Sequence, residues 1–318
     1  MNHFTIYCDD LQEGIWFKNL NPRFSSADLA IIPSSRRDLA AVRLDRVLKY
    51  DRPDIVLLDN NEVILVLERT VEVPSGHNVG QRYGRLLAAA QEHIPVVYFG
   101  PYAAYKHGGN TAGPRYMNLR LFYSLQNVSN IYDTAITTIN WPVDANYEVL
   151  KTPAKDIRVK QYLDLFFSYY DAHGFRGLTQ YIKHSSFQAD QLQEQKDFAA
   201  TEVRSPEQYD DPPKSVELIT PHEFTNRYGI DCSFPHRIDR IILYHVGMRN
   251  IRSDPYTGMA ALYKYLYSDN NSLQILVFAG IDSKKWYQQQ ETSKTYRMFK
   301  EFSDAILFKN ELIFQSDL

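Results

Sequence analysis

The sequence predicts an α/β protein, with a mixed central sheet flanked by helices and a second α/β half after it. Three observations lead there. Short apolar runs of strand length alternate with stretches of helical period in both halves. One run, turn and run over residues 55–67 reads as a hairpin feeding a helix and a buried strand. A chain of 318 residues that is 44% hydrophobic and 23% charged has the composition of a folded protein and enough length for a large core.

The elements follow in order. Residues 36–49 (RRDLAAVRLDRVLK) place Leu39, Val42, Val47 and Leu48 near one face, which predicts an amphipathic helix with a basic outer side. Residues 55–58 and 63–67 are apolar runs separated by the turn signal Asp59-Asn60-Asn61, hence a β-hairpin. Tyr83, Leu86, Leu87 and Ala90 recur at helical spacing over residues 79–91, and Pro95 opens a buried strand at 96–99. Residues 100–115 form a Gly- and Pro-rich loop, followed by a helix at 116–125 and a strand at 135–139. Helical text then runs over 156–181, interrupted near Gly174.

The composition shifts once. Residues 188–217 hold eight acids against Lys196, Arg204 and Lys214 and include Pro212-Pro213, which predicts an exposed acidic connector. The chain thus divides into 1–187, a connector at 188–217, and an α/β half at 218–318. In that half, strand and helix alternate over 238–246, 257–267, 273–279 and 291–302, ending in a hairpin at 306–314.

Several classes are excluded. No run of eighteen apolar residues occurs and mean hydropathy is −0.41, so no membrane association is expected. The N-terminal text lacks the basic start and apolar run of a signal peptide, and the expected location is the cytoplasm. Cys8 and Cys232 are too few for a disulfide framework and too far apart for a zinc pattern, and are expected as idle reduced thiols. A net charge of −3 advertises no polyanion partner, yet acidic surface elsewhere can offset a basic groove. The 23 tyrosines offer rings for cores, interfaces or base stacking and decide nothing alone.

The informative constellation is Pro53-Asp54 followed, after thirteen residues, by Glu68-Arg69-Thr70. Alternation along a strand puts Glu68, Thr70 and Glu72 on one face and turns Arg69 the other way. A hairpin returns Asp54 beside Glu68, so two carboxylates converge with no lysine or arginine between them on that face. Like charges so close raise a pKa unless a cation neutralises them. Mg²⁺, usually held by one or two carboxylates with waters and phosphates, resolves that conflict. Each residue alone has an ordinary alternative: Asp54 as a turn residue, Glu68 paired with a surface arginine, Arg82 and Arg85 as solvated helix charges. The pair on this hairpin points to metal binding.

At these residues the sequence resembles the PD-(D/E)XK nuclease superfamily, whose signature is Pro-Asp on one strand and Asp/Glu-x-Lys on the next. The resemblance covers residues 51–101, including the following helix (VGQRYGRLLAAAQ) and strand (VVYF). It implies a Mg²⁺-dependent double-stranded DNA endonuclease similar to type II restriction enzymes, with Asp54 and Glu68 as metal ligands. It further implies a homodimer and a cognate DNA methyltransferase in the same system. The signature lysine is replaced by Thr70, whose hydroxyl cannot deprotonate water at neutral pH. Three substitutes stand open: Thr70 positioning a metal-bound water, Glu72 adding an acidic group, or Gln81, Arg82 or Arg85 reaching in from the helix. The missing lysine also leaves an alternative, a non-cleaving nucleic-acid-binding protein that kept the fold.

Basic residues cluster locally. Residues 23–52 carry seven Lys/Arg against four acids, and residues 100–131 carry Lys106, Arg115 and Arg120 against none. These three are expected to contact phosphates from a Gly-rich loop and helix start. Arg249 and Arg252 are candidates for bidentate contacts to guanine. Thr257 reads as a helix N-cap and His245 as a hydrogen-bonded core histidine.

Overall fold

The computed structural model describes residues 3–76, 78–105, 113–201, 210–230 and 234–318. The chain is mixed α/β and forms two compact units: Met1–Ser75 with Arg85–Glu202, and Gly76–Gly84 with Val203–Leu318.

Unit 1 contains strands β1 (Phe4–Cys8), β2 (Asp28–Ile31), β3 (Ile55–Asp59), β4 (Glu62–Arg69), β5 (Val96–Gly100), the short pair β6 (Ala103–Ala104) and β7 (Arg115–Tyr116), and β8 (Ile136–Asn140). Its helices are α1 (Leu11–Lys18), α2 (Arg36–Ala41), the C-terminal part of α3 (Asn78–Gln91), α4 (Leu119–Ile131), α5 (Ile157–His173), α6 (Leu178–Lys183) and α7 (Ser186–Ala199). The main sheet has the order β2-β1-β3-β4-β5-β8. β3 lies antiparallel to both β1 and β4, while β5 runs parallel to β4 and β8.

The hairpin turns where expected, because Asn60 (φ 47°) and Asn61 (φ 70°) accept the left-handed backbone that a two-residue hairpin loop requires. β3 and β5 are buried along their whole lengths, which fits their unbroken apolar text. One face of the sheet (Ile6, Ile55, Leu57, Leu65, Leu67, Val97, Phe99) packs in a cluster with Phe166, Phe167 and Tyr170 of α5. The alternate residues, Glu68 among them, face the other way.

Two expectations are corrected in unit 1. The helix expected over 36–49 ends at Ala41; Arg43 takes a φ of 60°, and the chain continues in turns that still bury Leu44 and Val47. The exposed connector expected from Gln188 begins instead as α7. Gln188 and Gln191 are buried there, and Gln188 bonds Thr137 and the Ile136 carbonyl of β8.

Unit 2 holds β9 (Val216–Ile219), α8 (Pro221–Tyr228), β10 (Arg240–His245), α9 (Tyr256–Tyr267), β11 (Ser272–Phe278), α10 (Lys284–Tyr287), α11 (Lys294–Glu301), β12 (Ala305–Phe308) and β13 (Leu312–Phe314). Its sheet has the order β13-β12-β11-β10-β9, parallel in the centre and antiparallel at both edges. α8 starts with a capping box between Thr220 and Glu223. Thr257 is not the cap of α9: Pro255 takes that position and Thr257 is fully buried inside the first turn. No helix among the described residues is long and apolar enough to cross a membrane.

Candidate active site

The site forms at one end of the unit 1 sheet, where β1, β4 and β5 end and β3 begins. The register sets Cys8 opposite Ile55, Ile55 opposite Leu67, and Leu67 beside Val97. Asp54, just before β3, and Glu68, next to last on β4, therefore meet as expected. Asp54 is 5% exposed and Glu68 wholly buried. The Asp54 Oδ2 accepts the backbone N–H of Arg69 at 2.5 Å, which ties the start of one strand to the end of the other.

The pair does not stand without a cation. Arg85, on α3, places Nη1 2.9 Å from Glu68 Oε1 and 3.4 Å from Asp54 Oδ1, with Nε 4.0 Å from Asp51 Oδ2. This corrects the expectation of a face without arginine, because a crossover helix carries the guanidinium back over the strand end. Burial disfavours the Arg85 charge, but Glu68, Asp54 and Asp51 outweigh it and hold the group above its ordinary pKa. Of the substitutes for the absent lysine, Arg85 reaches both carboxylates.

Thr70 and Glu72 leave the strand. β4 ends at Arg69, Thr70 is buried, and the chain bends at 71–72, so Glu72 does not extend the Glu68 face. The Thr70 Oγ1 accepts the Glu72 N–H at 3.0 Å and donates to the Glu72 carbonyl at 3.2 Å, so its hydroxyl closes a turn. Gly100 lies against it: a Cβ there would sit 2.5 Å from the Tyr98 hydroxyl and 2.7 Å from Thr70 Cγ2. Gln81 lies one helical turn before Arg85, in the stretch of α3 that groups with unit 2.

Two participants carried no signal in the motif. Glu13, on α1, has its carboxyl pushed up to about 7, first by burial and then by the charge of Asp54, with Arg69 opposing. Arg69 faces away from Glu68, as alternation requires, and its guanidinium carbon stands 4.4 Å from the Trp16 ring centre and 5.0 Å from that of Trp141. Asp9-Asp10-x-x-Glu13 after a strand was the only trace of Glu13 in the text.

The expected nucleic-acid contacts fare unequally. Lys106 lies outside the described residues, as does Cys232. Arg115 is part of β7 and half-buried, while Arg120 is only 6% exposed, which removes it from the loop surface where a phosphate contact was expected. Arg249 and Arg252 are exposed in unit 2, where Arg252 Nη2 donates to the Tyr256 hydroxyl at 2.8 Å. His245 is half-buried on β10 and lies 2.7 Å from a Glu217 carboxylate oxygen. Cys8 is buried, with its thiol toward the Ala30 carbonyl. A cleft of about 540 Å³ in unit 2, lined by Val277, Leu307, Phe308 and Phe314 among others, carries no carboxylate pair.

The donor set at the strand end fits Mg²⁺, which takes hard oxygen ligands and commonly only one or two carboxylates from the protein. Among the described residues no group of three or more His, Cys, Asp or Glu stands close enough to hold a metal. The ion would therefore rest on Asp54 and Glu68, with Arg85 yielding its contacts. In comparisons with known proteins, no family model, no curated protein and no solved structure matches the chain.

Proposed function

We propose that this protein is a Mg²⁺-dependent double-stranded DNA endonuclease of the PD-(D/E)XK kind, resembling type II restriction enzymes. The observation that carries the reading is the Asp54 and Glu68 pair, buried side by side on an antiparallel hairpin. The strand order after it adds support: α3 crosses over to β5, which runs parallel to β4. Held by Asp54 and Glu68, Mg²⁺ would supply a water of lowered pKa and positive charge at the scissile phosphate. The chain's own groups do the rest. The Arg69 N–H orients Asp54, Arg85 sets a positive charge against both buried carboxylates, and the turn closed by Thr70 sets the end of β4. By the same resemblance the active form is a homodimer, with a cognate methyltransferase protecting host DNA.

A second reading follows from Arg85, which already neutralises the pair: a non-cleaving nucleic-acid-binding protein on the same scaffold. Incubation of supercoiled plasmid with the protein and Mg²⁺ separates the two. Nicked and linear products are expected from wild type and from neither Asp54→Asn nor Glu68→Gln. Salt-sensitive binding without products selects the second reading, and absence of both binding and cleavage rejects both.

A further inference from the structure

We propose that Arg69 is a preformed phosphate-binding group, which takes a backbone phosphodiester of the DNA strand presented to Asp54 and Glu68. This rests on the nuclease reading and deepens it. Arg69 ends β4, and its backbone N–H holds Asp54, so the side chain starts at the candidate site itself. Its guanidinium then lies over the rings of Trp16 and Trp141.

Those rings are fixed. Trp16, Phe99 and Trp141 form one stack, with successive planes 6° apart. Trp16 Nε1 donates to Asp156 Oδ1 at 2.9 Å and Trp141 Nε1 donates to the Leu150 carbonyl at 2.8 Å. Cation–π contact holds the guanidinium in place while leaving its in-plane N–H donors to other partners.

Those donors find no acceptor among the described residues: the Arg69 guanidinium makes neither a hydrogen bond nor an ion pair there, although it is only partly exposed. Arg85, Arg23, Arg43 and Arg227 each meet a carboxylate. Lys155 approaches the same two rings, but its ammonium lies 2.7 Å from both oxygens of Asp156. A half-buried cation, held by flat rings on the other side of the strand end from Glu68, coupled to Glu13 only through charge and with its N–H donors meeting no acceptor among the described residues, matches the bidentate recognition of a phosphodiester.

The test compares wild type, Arg69→Met and Arg69→Lys as full chains, with circular dichroism confirming the fold. Binding of a duplex oligonucleotide without divalent cations is measured over a range of salt. Arg69→Met is expected to weaken binding about tenfold or more and to lower the salt slope by about 0.9. Arg69→Lys is expected to keep the slope with reduced affinity, and it decides the matter if the methionine variant does not fold. In parallel, inorganic phosphate is titrated against chloride at equal ionic strength, with indole emission as readout, since Trp16 and Trp141 are two of three tryptophans. A phosphate response lost in Arg69→Met is expected. An unchanged slope and an unchanged phosphate response in folded Arg69 variants overturn the proposal. A phosphate response through Arg69, in a wild type that neither binds nor cuts DNA, keeps the phosphate site and overturns the nuclease reading instead.

Discussion

Glu68 has no exposed surface, where a bare carboxylate charge is costly, and Arg85 sets a guanidinium 2.9 Å from it. Removing one partner of such a pair leaves an uncompensated buried charge, so Arg85→Gln is expected to cost about 3–5 kcal/mol in urea unfolding. Mg²⁺ should restore part of that loss and stabilise the variant more than wild type, because Arg85 no longer competes for the oxygens; equal shifts in both proteins would place the ion elsewhere. Glu13 gives a test by pH. Its folded pKa of about 7 lies above the ordinary 4.5, so the folded state holds the proton more tightly. The stabilisation is complete below about 4.5 and is lost as pH rises through 7. Unfolding midpoints of wild type should therefore fall from pH 5 to pH 8 relative to Glu13→Gln; parallel curves would remove Glu13 from the field of Asp54. Asp54 and Glu68 were legible because strand alternation and a tight hairpin fix which side chains meet. Glu13 was not, because forty-one positions separate it from Asp54 and only the tertiary fold brings α1 to the end of β3.

At the scale of elements, local pattern succeeded where one period ran without competition. The β3–β4 hairpin, α3, β5 and the alternation in unit 2 follow the apolar spacing, and the Asn60-Asn61 turn adopts the backbone its residues favour. It failed where tertiary packing overrode propensity. Residues 42–49 have helical text, yet turns bury Leu44 and Val47, and the acidic text of 188–199 forms a helix whose Gln188 and Gln195 bond β8. Thr257 is not a cap because α9 already starts at Tyr256, after Pro255; within that first turn, Gly258 lies backbone to backbone against Gly80 of the same unit. A Cβ on Gly258 would collide with the carbonyl of Gly80. Gly258→Ala should consequently destabilise the protein by about 1–3 kcal/mol or more, as overpacking does, with Gly247→Ala, whose Cβ meets nothing within 4 Å, as the control. Equal urea midpoints for both variants would mean that the close crossing bears no energetic weight.

At the scale of the whole molecule, the net charge averages over two compact units and so says little about either. The candidate site lies entirely in unit 1, whereas the exposed Arg249 and Arg252 belong to unit 2. On the nuclease proposal, the Asp54 and Glu68 pair of one chain serves one strand of a duplex. Cutting both strands of a palindromic target in one encounter then needs two chains related by a two-fold axis, each placing Asp54 and Glu68 on its own strand. This yields a test that uses the inactive variant as a partner. If the proposed homodimer forms, wild type co-folded with an excess of Glu68→Gln puts most active chains in a dimer with an inactive one, expected to cut a single strand. Supercoiled plasmid should then accumulate as nicked circles, with the linear form falling as the square of the wild-type fraction and the nicked form nearly in proportion to it. A chain that acts alone cuts the second strand in a later encounter, so added Glu68→Gln would slow both steps by competition for sites without changing the ratio of linear to nicked product at equal turnover. A constant ratio would remove the homodimer while leaving Asp54 and Glu68 in place.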